Sequence, residues 1–479
     1  MSGLTIPSPL KTDALTPSLN RRAINAALKE DDALQATFIG QERAREALTF
    51  GLGIDARGYN IYVMGEPATG RFTLVKNYIE RHVAAMAAPD DWVYINNFDD
   101  EREPYVLRLS AGDGKQFVKE MTQFIDALLD TFPAAFENPG YQRKKAAIGR
   151  EFDQRYDEVI DNLERYAQAH QVALYEEGGT ISFAPIVDGK PITDTEFAKL
   201  GDEQRQHYYS LIDELENRLS ESLLGLPAWK RETSEKQREL DRYTAETAIK
   251  PLLKVLEHKY AGNLGILKYF RQMKAHVVQT LVALFTEEAS KDDKSDELDR
   301  RAMLESEYLP NVLVSRTLSE GAPVVYEPNP TYQNLFGKVE YTSIHGGVYT
   351  NYRMIRPGAL HKANGGYLLL DVDNLIEQPY VWEGLKLAIK SGSLKMDFPQ
   401  QDVGMVNAVT LNPQPVDLTV KIILLGSRDL YYTLQDYDNE FDELFRVLVD
   451  FDLEIPVTRQ SLYDFVGRVR MHILSLGLE

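Results

Sequence analysis

Short apolar runs and long amphipathic stretches occupy different parts of this chain, and their periods differ. Tyr59-Asn60-Ile61-Tyr62-Val63-Met64 is a compact, β-rich run that predicts a buried strand. Upstream, Phe38-Ile39-Gly40-Gln41-Glu42-Arg43-Ala44 opens a predicted helix ending near Gly51. Downstream, residues 72–85 have helical periodicity, and Trp92-Val93-Tyr94-Ile95 reads as a second buried strand. Strand, glycine loop, helix, strand predicts the start of a parallel α/β sheet.

The period changes after Gly112. From Lys115 to about Ser290 the chain reads as long, charged, amphipathic helix. Ile148, Phe152, Val159, Leu163 and Tyr166 fall on one helical stripe, as do Leu211, Leu215, Leu219 and Leu223. The charged faces around them are solvated faces. Ile181-Ser182-Phe183 and Pro185-Ile186-Val187, with Asp188-Gly189 as turn, predict a small hairpin. Residues 291–301 are charge-dense and predict a loop. Strand signals return at Asn311-Val312-Leu313-Val314, Val324-Val325-Tyr326, Gly366 to Asp371, Val420 to Ser427 and Phe451 to Ile455. One α/β domain is thus split by a helical insertion of about 200 residues, far longer than a connecting loop.

Composition narrows the classes. The 479 residues allow several domains, and 43% hydrophobic content is ordinary for folded chains. A net charge of −20 argues against a broad nucleic-acid footprint. With no cysteine, disulfides and thiolate metal sites are excluded. The eight histidines show no paired metal-ligand spacing. Residues 1–20 lack the apolar core of a signal peptide, and no apolar run approaches the ~20 residues of a spanning helix, so a cytoplasmic protein is expected.

The candidate chemistry sits in Gly65-Glu66-Pro67-Ala68-Thr69-Gly70-Arg71-Phe72-Thr73. A phosphate-binding loop has Gly, four residues, Gly, then Lys and Ser/Thr, so that backbone N–H groups cradle phosphate at a helix N-terminus. Here Arg71 holds the lysine position and Phe72 the hydroxyl position, a degenerate Walker A sequence. Order along the chain strengthens the reading. One apolar strand ends in Asp371, placed to hold Mg²⁺, and another in Ser427, placed to read a γ-phosphate. Arg446 is placed to reach a neighbouring subunit's nucleotide as an arginine finger.

Asn334-Leu335-Phe336-Gly337-Lys338-Val339-Glu340-Tyr341, Gly346-Gly347 and the run from Pro357 to Asp371 resemble the AAA+ module of Lon-type proteases. The likeness is to the B-type Lon of archaea and its bacterial Lon-related relatives, over roughly residues 35–110 and 309–479. It implies an AAA+ P-loop parallel sheet split by a coiled-coil-like helical insertion. The expected domains are an N-terminal arm with the first half of the α/β domain (1–110), the insertion with its hairpin (111–308), the second half (309–455) and the start of a helical lid (456–479). It implies ATP or ADP as ligand, with Ile39 and Gly40 on the adenine side and Asp371 holding Mg²⁺. It also implies a homo-oligomeric ring, a hexamer, acting on unfolded protein substrates. The family's insertion carries a membrane anchor, which the insertion here lacks.

The departures bear on activity. Arg71 brings charge in a wider, planar head. Thr73 comes one residue late and points about 100° away on a helix. Val372 stands where the family has a water-polarising Glu, and Asp373 is displaced by one. Together these predict weak or absent hydrolysis. The family's Ser–Lys protease dyad and its surrounding stretch do not occur in this sequence, so a parent that continues into lid and protease is expected. His345 to Tyr352 occupies the place of a pore loop, with Tyr349 or Tyr352 as substrate paddle or, equally, as tyrosines packed in a surface hairpin. His361 reads as a structural hydrogen-bonder, and Gly112-Asp113-Gly114-Lys115 as a turn despite its likeness to part of a phosphate loop. The insertion reads as a substrate-capturing arm or a spacer. The leading function is the substrate-recognition and regulatory module of a Lon-like serine endopeptidase; the alternative is a non-proteolytic AAA+ scaffold or remodelling ring.

Overall fold

Four-residue and five-residue apolar runs can bury both faces only inside a layered sheet. A computed structural model describes residues 11, 21–27, 38–66, 69–177, 180–187, 189–287, 294–344, 347–396, 411–456 and 458–477. Pro67, Ala68, Asp188, His345 and Gly346 of the readings above lie outside the described residues. The chain divides into two units, residues 1–122 with 304–479, and residues 123–303.

In the first unit five strands form one parallel sheet. The spatial order is Val447–Asp450, Ile61–Met64, Lys421–Gly426, Tyr367–Asp371, Val324–Glu327. Side chains alternate between two cores. Tyr62, Met64, Leu368, Leu370, Ile422 and Leu424 face one, and Ile61, Val63, Leu369, Ile423, Leu425 and Val449 face the other. Helices Glu42–Gly53 and Arg71–Val83 cover the second face through Ala44, Leu48, Val75 and Ile79. Helix Val381–Ser391 covers the first through Val381, Leu385 and Ala388. With helices on both sides, the strands have no solvent face and need no alternation.

Two strand expectations are corrected. Asp91–Ile95 does not join the parallel sheet; it is the middle of a separate antiparallel sheet between Tyr105–Leu109 and Asn311–Val314. An apolar run shows burial but not partner, and here the partners are chain neighbours and a distant strand. The last strand is Val447–Asp450, while residues 451–456 carry no strand. The alternation at 451–455 reflects single anchors such as Phe451, which is 1% exposed, rather than a pleat.

Asp91 is fully buried, and its carboxylate accepts from the N–H groups of Gly112 (3.1 Å), Gly114 (2.9 Å) and Arg316 (2.7 Å) and from Ser315 Oγ (3.1 Å). The Gly112-Asp113-Gly114-Lys115 turn therefore does cradle an anion, but one supplied by the protein itself.

In the second unit, the predicted stripes lie on helices Pro139–Ala169 and Asp202–Leu223, where Leu163 and Leu215 are buried and the other stripe residues half-buried. Leu163, Ala167, Val172 and Leu215 form a core with Tyr166, Leu174, Phe183 and Leu219 packed against it. The hairpin is larger than expected. Thr180–Val187 is a single strand pairing with Val172–Glu177 on one side and Lys190–Pro191 on the other. The charge-dense stretch predicted as loop lies mostly in helix Lys294–Tyr308, which holds no glycine or proline to break it. Among the described residues no helix is long and apolar enough to cross a membrane.

His361 behaves as a buried structural group. It is 1% exposed, its Nδ1 accepts the Gly358 N–H at 3.3 Å, and Nε2 finds no partner among the described residues. Burial lowers its pKa to about 3. The unfolded ring protonates below its ordinary value of 6.5, whereas the folded ring stays neutral. Stability from this group is complete above that value and is lost as pH falls towards the folded pKa. Between pH 7 and pH 5 the loss is expected to be about 2 kcal/mol. Urea denaturation at the two pH values measures it, and His361→Gln should remove that share of the pH dependence.

Candidate functional site

Because the large sheet is parallel, the carboxyl ends of Ile61–Met64, Tyr367–Asp371, Lys421–Gly426 and Val447–Asp450 share one edge. This is the edge at which open α/β sheets take ligands. It gathers Gly65, Asp371 and Ser427, which are distant in sequence.

The described part of the loop includes both glycines. Gly65 is buried behind the first strand, and Gly70, with φ +78°, precedes helix Arg71–Val83, a conformation that glycine adopts without steric cost. Glu66 and Thr69 are exposed, and Thr69 Oγ1 donates to the Glu66 carbonyl at 2.8 Å. Arg71 is where expectation and structure part. Its guanidinium turns back and donates from one nitrogen to the Gly65 carbonyl and to the Gly426 carbonyl, the latter at 2.7 Å. The charge expected to meet a phosphate instead ties two strand tips together.

Phe72 packs against Tyr326, with ring centroids 4.4 Å apart and the planes tilted by 50°, and the Tyr326 hydroxyl donates to Asp371 Oδ2 at 2.5 Å. Burial and the Asp371 carboxylate push the Tyr326 phenol up to about 12. Mg²⁺ requires a near-octahedral set of oxygens, usually including waters. The residues here do not fit it: an aromatic ring stands at the hydroxyl position, and the carboxylate oxygen is held by a phenol. Thr73 is exposed on the helix and does not compensate. Val372 is fully buried in the apolar core, and Asp373 is exposed. Ser427 is the cap residue of helix Arg428–Tyr437: its Oγ accepts the Leu430 N–H at 3.2 Å, and its carbonyl accepts from Tyr62 at 2.9 Å. The hydroxyl expected to read a phosphate thus holds a helix start.

Ile39 is half-buried, and Gly40, with φ +61°, lies against Ile455 so closely that a Cβ would fall 2.5 Å from its Cγ2. Gln41 bridges the Asp452 backbone, donating from Nε2 to its carbonyl at 2.9 Å and accepting its N–H at 2.8 Å. Arg446 precedes the strand Val447–Asp450, so it lies at the opposite edge of the sheet, over the Tyr59 ring at 5.5 Å. It is exposed there.

The two hairpin tyrosines separate. Tyr352 is 3% exposed and donates to the Leu309 carbonyl at 2.8 Å, so it is a packed residue and not a paddle. Tyr349 is 41% exposed at the end of the strand Gly347–Tyr349. A cleft of about 430 Å³ beside it is lined by Asp99, Asp100, Glu101 and Glu307 among others. Burial and the neighbouring Glu101 raise the pKa of Glu307.

Sequence reasoning missed Tyr326 and Gln41. Gln41 directly follows Ile39 and Gly40, but a glutamine's backbone partner 411 residues away leaves no local trace. Tyr326 looked like an ordinary strand aromatic, and only pairing beside Asp371 gives its hydroxyl a role.

Residues 320–452 match the family model described as LonB-like, AAA domain. Residues 91–124 match the Lon-like LonC helical domain. The matches mark a Lon-like AAA+ chain. A protein named as a Lon protease homolog from Escherichia coli (strain K12) is 30% identical to this Lon-like chain over 89 residues, 19% of this chain and 14% of that protein. The chain therefore spans only a small part of that relative's length. Among solved structures, NtrX from Brucella abortus aligns at 15% identity over 32% of this chain and 41% of the other, with a TM-score of 0.19, and carries no argument. The AAA match itself points to nucleotide binding.

Proposed function

We propose that this chain is the substrate-recognition and regulatory part of a Lon-like serine endopeptidase, with a nucleotide site that turns over little or no ATP. The observation that carries the second half is Arg71, whose guanidinium turns back and donates from one nitrogen to the Gly65 and Gly426 carbonyls. Hydrolysis needs a positive group and a metal on the transferring phosphoryl, and the Phe72, Val372 and Ser427 departures argue in the same direction. ATP or ADP would then act structurally, through the loop backbone.

Tyr349 supports the first half. An exposed aromatic on a short hairpin beside an acidic cleft suits an unfolded, basic or aromatic polypeptide segment. Assembly as a homo-oligomeric ring, a hexamer, in the cytoplasm completes the reading.

The test uses fluorescein-labelled unfolded casein and fluorescence anisotropy. Tyr349→Ala is expected to weaken binding by about fivefold, in line with a loss of ~1 kcal/mol, without shifting the melting temperature. Unchanged affinity would remove Tyr349 from recognition. Robust ATP turnover by the unmodified chain would overturn the impaired site.

A further inference from the structure

Resting on the reading of an impaired nucleotide site, we propose that Tyr326 is its lock, a positioning residue that withholds Asp371 from Mg²⁺ even when the loop hydroxyl is restored. Three separate segments build it. Phe72 comes from the helix after the loop, Tyr326 from the edge strand of the sheet, and Asp371 from the tip of the strand beside it. Tyr326 pairs in register with Leu369, and Asp371 is two residues further along on the same face. That geometry sends the phenol to Oδ2 at 2.5 Å, while its ring meets Phe72 at 4.4 Å.

Two charged groups of the site are thereby engaged from within. Asp371 accepts the phenol, and Arg71 donates to two carbonyls. A metal taking Oδ2 must displace a hydrogen bond to a charged acceptor, one of the stronger kinds, and enter beside the packed rings of Phe72 and Tyr326. Replacing Phe72 alone supplies an oxygen but leaves the carboxylate engaged. The lock predicts that repair of the loop motif by itself fails.

Isothermal titration calorimetry with ADP, in Mg²⁺ and in EDTA, tests this on the full chain. The wild type and Phe72→Thr are expected to show no Mg²⁺-dependent gain. Phe72→Thr with Tyr326→Phe is expected to bind ADP at least tenfold more tightly with Mg²⁺ than without. A gain in Phe72→Thr equal to that of the double variant would overturn the lock, as would a folded double variant with no gain. Mg²⁺-dependent binding by the wild type would instead sink the reading of an impaired site, and the lock with it. If circular dichroism shows the double variant unfolded, Phe72→Ser with Tyr326→Leu is measured with the same expected and overturning results.

Discussion

Replacing Asp91 with alanine is expected to lower the stability of the first unit by about 4 kcal/mol, the range in which one partner is removed from a buried charged network. The carboxylate is fully buried and accepts four hydrogen bonds, three of them from backbone N–H groups. Without it those donors face no acceptor, and water has no ready route to them. Two of the donors, Gly112 and Gly114, flank the first residue of helix Asp113–Glu137, so the negative charge also sits at that helix's positive end. Asp91→Asn keeps the volume and one acceptor oxygen and should cost about half as much. Urea denaturation followed by tryptophan emission reads both, since Trp92 is a buried neighbour in the same strand. A loss below about 1 kcal/mol for the alanine variant would show that the cradle is relaxed or hydrated.

The second large effect is expected from Val372→Glu, the change that motif repair would call for. In the family the residue after the metal-holding Asp is a Glu that polarises water. Here Val372 is fully buried in the apolar core on the first face of the sheet, close to Gly426. A carboxylate there enters an apolar core without a partner, at a cost of about 4 kcal/mol. For a unit of this size that lowers the melting temperature by about 6 °C. No gain in ATP turnover should accompany the loss, because Asp371 and Ser427 keep their present partners. Scanning calorimetry and a phosphate-release assay on the same sample check both parts. A stable variant that hydrolyses ATP would show that the residue swings into the site.

Legibility followed the range of the interactions. The helical stripes of the second unit were readable because Leu163, Tyr166, Leu215 and Leu219 repeat at the helix's own period. The strand runs were readable as buried, since both faces of the sheet are covered. The strand Asp91–Ile95 shows the limit: its sequence predicted burial correctly and its sheet wrongly. The same holds at the site. The frame of the phosphate loop and its altered positions, Arg71 and Phe72, stand in the sequence. Their present partners do not: Arg71 reaches Gly426, 355 residues away, and the Asp371 phenol partner comes from 45 residues upstream.

The sequence by itself determined the parallel-sheet core, the helical insertion, the Lon-like motifs and the missing hydroxyl and lysine. Those follow from local periodicity, turn chemistry and residue type. Tertiary structure decided which charges remain available. It placed Asp91 in the Gly112–Gly114 cradle, closed Arg71 onto two carbonyls, put Tyr326 on Asp371 and buried Tyr352 while leaving Tyr349 exposed. Each is a contact between segments far apart in the chain, where a side chain's role depends on which donor or acceptor the fold brings within about 3 Å.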